Sequence, residues 1–277
     1  MSRENAPPAA QTPPADATVP AGDPTLRAAG RLRVEGREVA YDVRALGPDS
    51  LEALDAVQQE AARLIGDADW DLFHPHPPEE IQLFMDGEGA VFGLFVDGRL
   101  EGYCFLGLPG GRLESFADLL PEGSGAVPAE ERSAVAHIDG VYAPPYLRGR
   151  GLQRVMIRVR MDHALARGCR HFLANASPRN TPSCRNMTRA GMAVRQIAYM
   201  HPTPRGAKLR VLLHKDVGRP VTFDPNVAPV AVPAMDEARQ QDLLAHGYLG
   251  CDFKRDADGD PLVLYARALA GRPENAA

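Results

Sequence analysis

The sequence predicts a mixed α/β fold in which helices flank a mostly antiparallel central sheet, with an α+β extension at the C-terminus. Two strand patterns, at residues 90–96 and 99–108, are joined by Asp97-Gly98, a dipeptide that favours the positive φ angles of a tight hairpin turn. A strand–helix–strand pattern over residues 134–175 predicts one parallel strand pair. A further helix and a second hairpin pattern, after residue 233, predict the extension.

Each element follows from a local pattern. Residues 39–46 alternate apolar and polar side chains as a half-buried strand does, and a run of helical period follows from Leu51 to Leu64. Residues 109–131 are rich in Gly, Pro and acidic side chains, which predicts a long loop with a short helix at 113–120. The other predicted elements are a strand at 134–142, a turn at 143–147, a helix at 151–167, a strand at 171–175, a helix at 182–190, strands at 194–201 and 208–214, a helix at 236–245, and strands at 248–254 and 262–267.

These elements divide the chain into three predicted parts. Residues 1–25 contain six prolines and few large apolar side chains, so we expect a disordered tail. Residues 26–216 hold the strands and helices of the main domain. Residues 217–277 form the extension, which we expect to pack on the main domain because about 60 residues rarely build a stable core alone.

Composition narrows the classes of function. The chain has 277 residues, 44% hydrophobic and 24% charged, with a formal net charge of -5. Nucleic-acid-binding proteins usually carry a basic excess, and no apolar run approaches the roughly 18 residues of a membrane span, so we expect neither partner. Scattered cysteines and an N-terminus without a signal-peptide pattern predict a cytoplasmic protein. Composition and charge leave the oligomeric state open, a homodimer included.

Residues 141–168 carry the most specific chemical pattern. Gly149 and Gly151 lie between a strand and a helix, with Arg148 and Arg150 interleaved. A helix N-terminus has unpaired N–H groups and a partial positive charge, so glycines there let a phosphate reach the bare backbone. A glycine turn followed by a solvated arginine face explains the same pattern without a ligand.

The sequence R-G-R-G-L-Q at 148–153, which follows a predicted strand, resembles the acyl-CoA-binding motif R/Q-x-x-G-x-G/A of the GNAT superfamily of N-acetyltransferases. Arg148 and Gly151 match this motif, and Gln153 replaces its last small residue. The sequence Asn-Thr-Pro-Ser at 180–183, with the run to Gly191-Met192, resembles the second signature of the family.

The resemblance covers about residues 26–217 and implies a GNAT-like fold that uses acetyl-CoA as co-substrate. The implied activity is transfer of the acetyl group to a primary amine of a small molecule or peptide by direct attack. Met187 and Gln153 depart from the family pattern, so the alternative is a non-catalytic acyl-CoA-binding module. The residues implied to bind the cofactor are Val141, Tyr142, Ala143, Arg148, Gly149, Arg150, Gly151, Leu152, Gln153, Asn180 and Ser183.

The strand at 134–142 carries the candidate proton acceptors. Its alternation places His137, Asp139 and Val141 on one face, and an attacking amine needs a proton acceptor beside the thioester. Family members commonly carry a base on this strand, so Asp139 is the first candidate. His137 is the second, because an imidazole titrates near neutral pH. A carboxylate at 139 could equally hold a loop amide or the cation of the substrate.

Two further positions complete the expectations. Met187 stands where many family members have a tyrosine, so Ser183, Tyr199 or water is left to protonate the departing thiolate. The alternative is that the thiolate leaves unprotonated and is neutralised later. No metal site is predicted, because His74-Pro-His76 lacks a second pair of ligands and is interpreted as a loop stiffened by proline.

Overall fold

A computed structural model describes residues 24–66, 69–110, 118, 120 and 127–269. Nearly all of the predicted tail at residues 1–25 lies outside the described residues, as does most of the short helix predicted at 113–120. The helices are α1 (Leu51–Leu64), α2 (Pro78–Leu83), α3 (Leu152–Leu165), α4 (Thr181–Arg189) and α5 (Glu237–Ala245). The strands are β1 (Leu26–Val34), β2 (Arg37–Leu46), β3 (Gly89–Val96), β4 (Arg99–Gly107), β5 (Val135–Tyr142), β6 (His171–Ala176), β7 (Ala193–Met200), β8 (Lys208–Asp216), β9 (Val230–Pro233), β10 (Tyr248–Arg255) and β11 (Pro261–Arg267).

One sheet joins the eleven strands of the described chain in the order β1-β2-β3-β4-β5-β6-β8-β7-β10-β11-β9. Within the described ranges, β5 and β6 form the one parallel pair, and the other neighbours are antiparallel. This arrangement confirms the predicted mixed fold. No helix in these ranges is both long enough and apolar enough to cross a bilayer.

The hairpin predicted at Asp97-Gly98 is confirmed, with φ angles of 47° and 82° at its two turn residues. The opening of the domain differs from the prediction, since a hairpin of β1 and β2 precedes α1 where a single strand was expected. Glu35-Gly36 forms its turn, again at positive φ. β1 is an edge strand with mostly half-buried side chains, so its apolar pattern is weak. The prediction also missed α2, whose six residues are too few to show a helical period.

The parallel strands β5 and β6 separate after a short paired stretch. Their register runs from Val135 opposite His171 to His137 opposite Leu173, although both strands continue beyond these residues. On its other side, β5 pairs with β4 through a register shift between Cys104 and Phe105. The sheet therefore opens a gap beside the second half of β5.

The C-terminal residues extend the same sheet. β10 pairs with β7 at Gly250 and Val194, and a Cβ atom at Gly250 would lie only 2.6 Å from the Cβ of Val194. Phe253 and Tyr265 are fully buried, and Asp236 caps α5 by accepting a hydrogen bond from the backbone of Arg239. The domain boundary at residue 217 stays a prediction, because the hydrogen-bonded sheet continues across it.

Candidate active site

The turn between β5 and α3 presents bare backbone N–H groups. Gly149 and Gly151 adopt φ angles of 74° and 80°, which glycine adopts without strain. A Cβ atom at either position would meet no atom within 4 Å, so the space in front of the turn is open. Gly151 is the N-cap of α3, and no side chain caps this 14-residue helix. The first amides of α3 are therefore available to an anion.

The two arginines of the turn support its shape. The Nε of Arg148 donates to the carbonyl of Ala143 at 3.3 Å, and the Nε of Arg150 donates to the carbonyl of Tyr146 at 3.1 Å. The first hydrogen bond ties the turn to the residue that follows β5, and the second lies within the turn. The guanidinium groups thereby help to fix the backbone that carries the glycines.

Gln153, which departs from the resembled motif, joins α3 to α4. Its Nε2 donates to the Oγ of Ser183 at 2.7 Å, and its Oε1 accepts from the Nδ2 of Asn186 at 2.7 Å. Asn180 caps α4, because its Oδ1 accepts from the backbone N–H of Ser183 at 3.3 Å. Gln153 thus links the glycine turn to Ser183, a residue of the second signature.

A cavity of 610 Å³ lies beside the gap between β5 and β6. Its wall includes the predicted site residues His137, Asp139, Val141, Gln153, Asn180 and Ser183. The other predicted residues lie on the strand end and turn that follow, outside this wall; they are Tyr142, Ala143, Arg148, Gly149, Arg150, Gly151 and Leu152. Met187 also lines the cavity, whereas Tyr199 does not and is 60% exposed.

Asp139 is a fixed negative charge on the cavity wall. Its Oδ2 lies 3.5 Å from the Nε2 of His76 and 3.8 Å from the Nδ1 of His137, and its Oδ1 accepts from the backbone N–H of Gly140 at 2.7 Å. Burial acts to raise the pKa of Asp139, but the two histidines and this amide outweigh it and hold the pKa well below its usual range. At neutral pH the carboxylate is ionised and accepts a proton only weakly.

His76 is a site residue that the sequence did not reveal. The His74-Pro-His76 segment is a loop, as predicted, but the His76 side chain is only 7% exposed. Its Nδ1 lies 2.9 Å from a carboxylate oxygen of Glu80, and its other nitrogen faces Asp139. Burial acts to lower the pKa of His76, but these two carboxylates raise it to about 9. His76 is therefore an imidazolium at neutral pH.

Three other imidazoles on the wall have lowered pKa values and are neutral at pH 7. Burial lowers the pKa of His137, lowers that of His74 and lowers that of His201 to about 4. Asn175 connects two of them: its Nδ2 lies 3.4 Å from the Nε2 of His137, and its Oδ1 lies 3.1 Å from the Nε2 of His201. The cavity thus holds neutral proton acceptors beside an ionised carboxylate.

His201 is a second residue of the cavity wall that no pattern in the sequence indicates. This residue directly follows β7 and has a φ of 52°, a conformation that residues other than glycine rarely adopt. Its ring lies 4.6 Å from that of His74, centroid to centroid. Backbone strain of this kind concentrates at functional sites, and a sequence does not display it.

The comparison with protein families identifies the family of the domain. The model of the acetyltransferase (GNAT) family matches residues 57–192. This chain carries a GNAT acetyltransferase domain. The match supports an acyltransferase and confirms the resemblance on which the prediction rests. The matched residues include the glycine turn, β5 and α4. No protein of curated function matches the sequence.

Solved acetyltransferases are among the structures to which this chain is similar, at low sequence identity. The ribosomal-protein-S18-alanine N-acetyltransferase of Escherichia coli is 13% identical at a TM-score of 0.47, over 68% of this chain and 98% of that chain. The ribosomal-protein-alanine N-acetyltransferase of Brucella melitensis is 16% identical at 0.46, over 63% and 98%. An aminoglycoside acetyltransferase in complex with coenzyme A is 17% identical at 0.43, over 64% and 94%.

A second polar cluster lies at the start of β6, away from the cavity residues of that strand. Glu131, His171 and Asp216 bring ligand-type atoms within 4.8 Å of one another. Arg219 pairs with both carboxylates, at 3.0 Å from Glu131 and 2.7 Å from Asp216. The two negative charges therefore already have a cationic partner.

Proposed function

We propose that the protein transfers the acetyl group of acetyl-CoA to a primary amine of a small molecule or peptide by direct attack of the amine. One observation supports this most strongly: a helix N-terminus with bare amides adjoins a strand gap whose cavity holds an ionised carboxylate beside neutral imidazoles. The first feature suits the phosphates of the coenzyme. The second suits removal of a proton from an amine.

The proposed coenzyme site uses the strand end and both helices. The amides of the turn and of the first residues of α3 receive the pyrophosphate. Backbone at Val141–Ala143 pairs with the pantetheine arm, because the β5 residues beyond His137 have no partner on β6. Asn180 and Ser183 approach the arm from α4. The open space in front of Gly149 and Gly151 fits this arrangement, since no side chain fills it.

His137 is the proposed proton acceptor, with Asp139 as its charge partner. The acceptor amine arrives as an ammonium ion and must lose a proton before it can attack. The depressed pKa makes Asp139 a weak base, whereas the neutral imidazole of His137 can take the proton. The imidazolium that forms is stabilised by the carboxylate 3.8 Å away. His76, held between Glu80 and Asp139, keeps that carboxylate in place.

The amine nitrogen then bonds to the thioester carbon, the C–S bond breaks, and the nitrogen releases its second proton. The departing thiolate needs a proton, which Met187 cannot give. Ser183 is the proposed donor, because its hydroxyl lies on the cavity wall and is oriented by Gln153. It gives its proton to the sulfur and takes up the second proton of the amine, so that the hydroxyl is restored. Tyr199, the other side chain considered, lies outside the wall.

Free thiol release from acetyl-CoA with a panel of amines tests this function. We expect amine-dependent release, and a His137→Gln variant that loses about 10²- to 10⁴-fold in kcat, the usual worth of a general base. The variant should keep the rise in thermal unfolding midpoint that acetyl-CoA causes. A rise without thiol release from any amine would instead support the acyl-CoA-binding module. Full activity of the variant would place the proton acceptor elsewhere.

A further inference from the structure

Arg210 is a buried cation on the wall of the cavity. It lies on β8, and only 4% of the residue is exposed. A guanidinium has five N–H donors. Within the described part of the chain its one hydrogen bond runs from Nη1 to the carbonyl of Leu209 at 3.2 Å. Burial lowers the pKa of Arg210 to about 10, which leaves the group charged at neutral pH.

A carboxylate whose charge acts on this cation, that of Asp71, is engaged elsewhere. Asp71 acts on Arg210 through its charge, but its Oδ1 accepts from the Nη1 of Arg179 at 2.7 Å and its Oδ2 accepts from the Oγ of Ser177 at 2.7 Å. Among the described residues, no carboxylate forms an ion pair with Arg210. A buried charge without a counterion is costly, so an anion that entered the cavity would relieve that cost.

The other cations of the wall have their partners. His76 lies between Glu80 and Asp139. Arg132 pairs with Asp118 at 2.7 Å. Arg160 donates to backbone carbonyls, one of them that of Asp139. Among the described residues, Arg210 differs from these three cations in that it has neither a carboxylate partner nor a second hydrogen bond.

The sheet places Arg210 across the cavity from the proton acceptor. Val211 pairs with Ala176, so Arg210 lies beside the end of β6 and next to Ser177. β5, which carries His137, is the neighbour of β6 on its other side. His137 pairs with Leu173, which pairs with His214, so Arg210 lies four residues further along the sheet than His137. Two strand spacings of roughly 4.8 Å and four residues of roughly 3.3 Å give a backbone separation of about 16 Å. Because both residues line the same cavity, one small molecule that fills it can reach both side chains.

We propose that the acceptor is a small amine that also carries an oxyanion, as an amino acid does, and that Arg210 binds this oxyanion. The proposal rests on the proposed function and adds the chemical class of its acceptor. The planar guanidinium offers two parallel N–H groups to a carboxylate, which holds the anion in a defined orientation. The amine of the same molecule then reaches the β5 side of the cavity.

Matched acceptors test this proposal. The common amino acids are compared with their carboxamides, which keep the amine and lose the negative charge, by thiol release from acetyl-CoA. We expect Arg210→Gln to lower kcat/KM for the amino acids about 10- to 100-fold, mainly through KM, and to change the carboxamides little. Arg210→Lys should lower kcat/KM for the amino acids by a smaller factor. Arg195→Gln, at a largely buried arginine of β7 outside the cavity wall, is the control and should change neither class.

Three results would overturn the proposal. The first is equal kcat/KM of the wild-type enzyme for carboxamides and amino acids, because the anion of the acceptor would then contribute nothing to binding. A folded Arg210→Gln variant that loses both classes equally assigns Arg210 a structural role. If no amine is acetylated, the proposed function fails, and the change in unfolding midpoint caused by the amino acids then tests the anion site. A rise in the wild type that Arg210→Gln abolishes supports the site. No rise in the wild type overturns it.

Discussion

Replacing Gly151 by tryptophan tests whether the turn before α3 holds the coenzyme. The left-handed φ of 80° at Gly151 is expected to cost a side chain roughly 1–2 kcal/mol of stability. The tryptophan ring would also occupy the open space in front of the first amides of α3. Gly168, just after the end of the same helix, has a φ of 82° and equally open surroundings. Gly168→Trp therefore carries the same strain without blocking the turn.

The readout is the change in unfolding midpoint that acetyl-CoA causes in each protein. A ligand at about 100 times its Kd stabilises the folded state by about 2.7 kcal/mol, which corresponds to roughly 5–10 °C for a chain of this size. Wild type and Gly168→Trp should both show this rise, although the variant starts from a lower midpoint. Gly151→Trp should start equally low and show no rise. A full rise in Gly151→Trp would refute the assignment of the phosphates to this turn.

The remaining predictions concern stability. The folded pKa of His76, about 9, is above the unfolded value near 6.5, so its contribution is complete below pH 6.5 and is lost as the pH rises through 9. His76→Gln should flatten the fall in the free energy of unfolding over that range, measured in urea; an unchanged pH profile would contradict the pairing with Asp139. Gly250→Val should destabilise the protein by about 1–3 kcal/mol, because its Cβ would lie 2.6 Å from that of Val194. An unaltered urea midpoint would show that β10 accommodates the methyl groups.

The sequence was most informative where local chemistry is unambiguous. Asp97-Gly98 predicts its hairpin because few other residue pairs adopt two consecutive positive φ angles without strain. The strand–turn–helix pattern around Gly151 predicts both a turn and an anion site. The glycine can adopt the positive φ angle of the turn, and the free amides of the helix can bind an anion. These signals depend on neighbours in sequence, which a sequence displays directly.

The polar array of the cavity depends on neighbours in space. His76 was interpreted as a loop residue, because its partner Asp139 lies far along the chain and only the fold brings the two together. His201 and Arg210 give no signal in the sequence for the same reason, because His201 follows β7, Arg210 lies on β8, and only the fold brings them to the cavity. Asp139 itself was found, but its contacts with two histidines, which depress its pKa, were not predictable from the alternation of β5.

Direct detection of the acetylated product tests the central proposal. Purified protein is incubated with acetyl-CoA and the amine panel, amino acids included, and each amine is analysed by mass spectrometry while thiol release is followed in parallel. We predict that at least one amine gains the mass of a single acetyl group, in step with the released thiol, and that His137→Gln slows both together. Stable binding of acetyl-CoA without an acetylated product from any amine would contradict the proposed function.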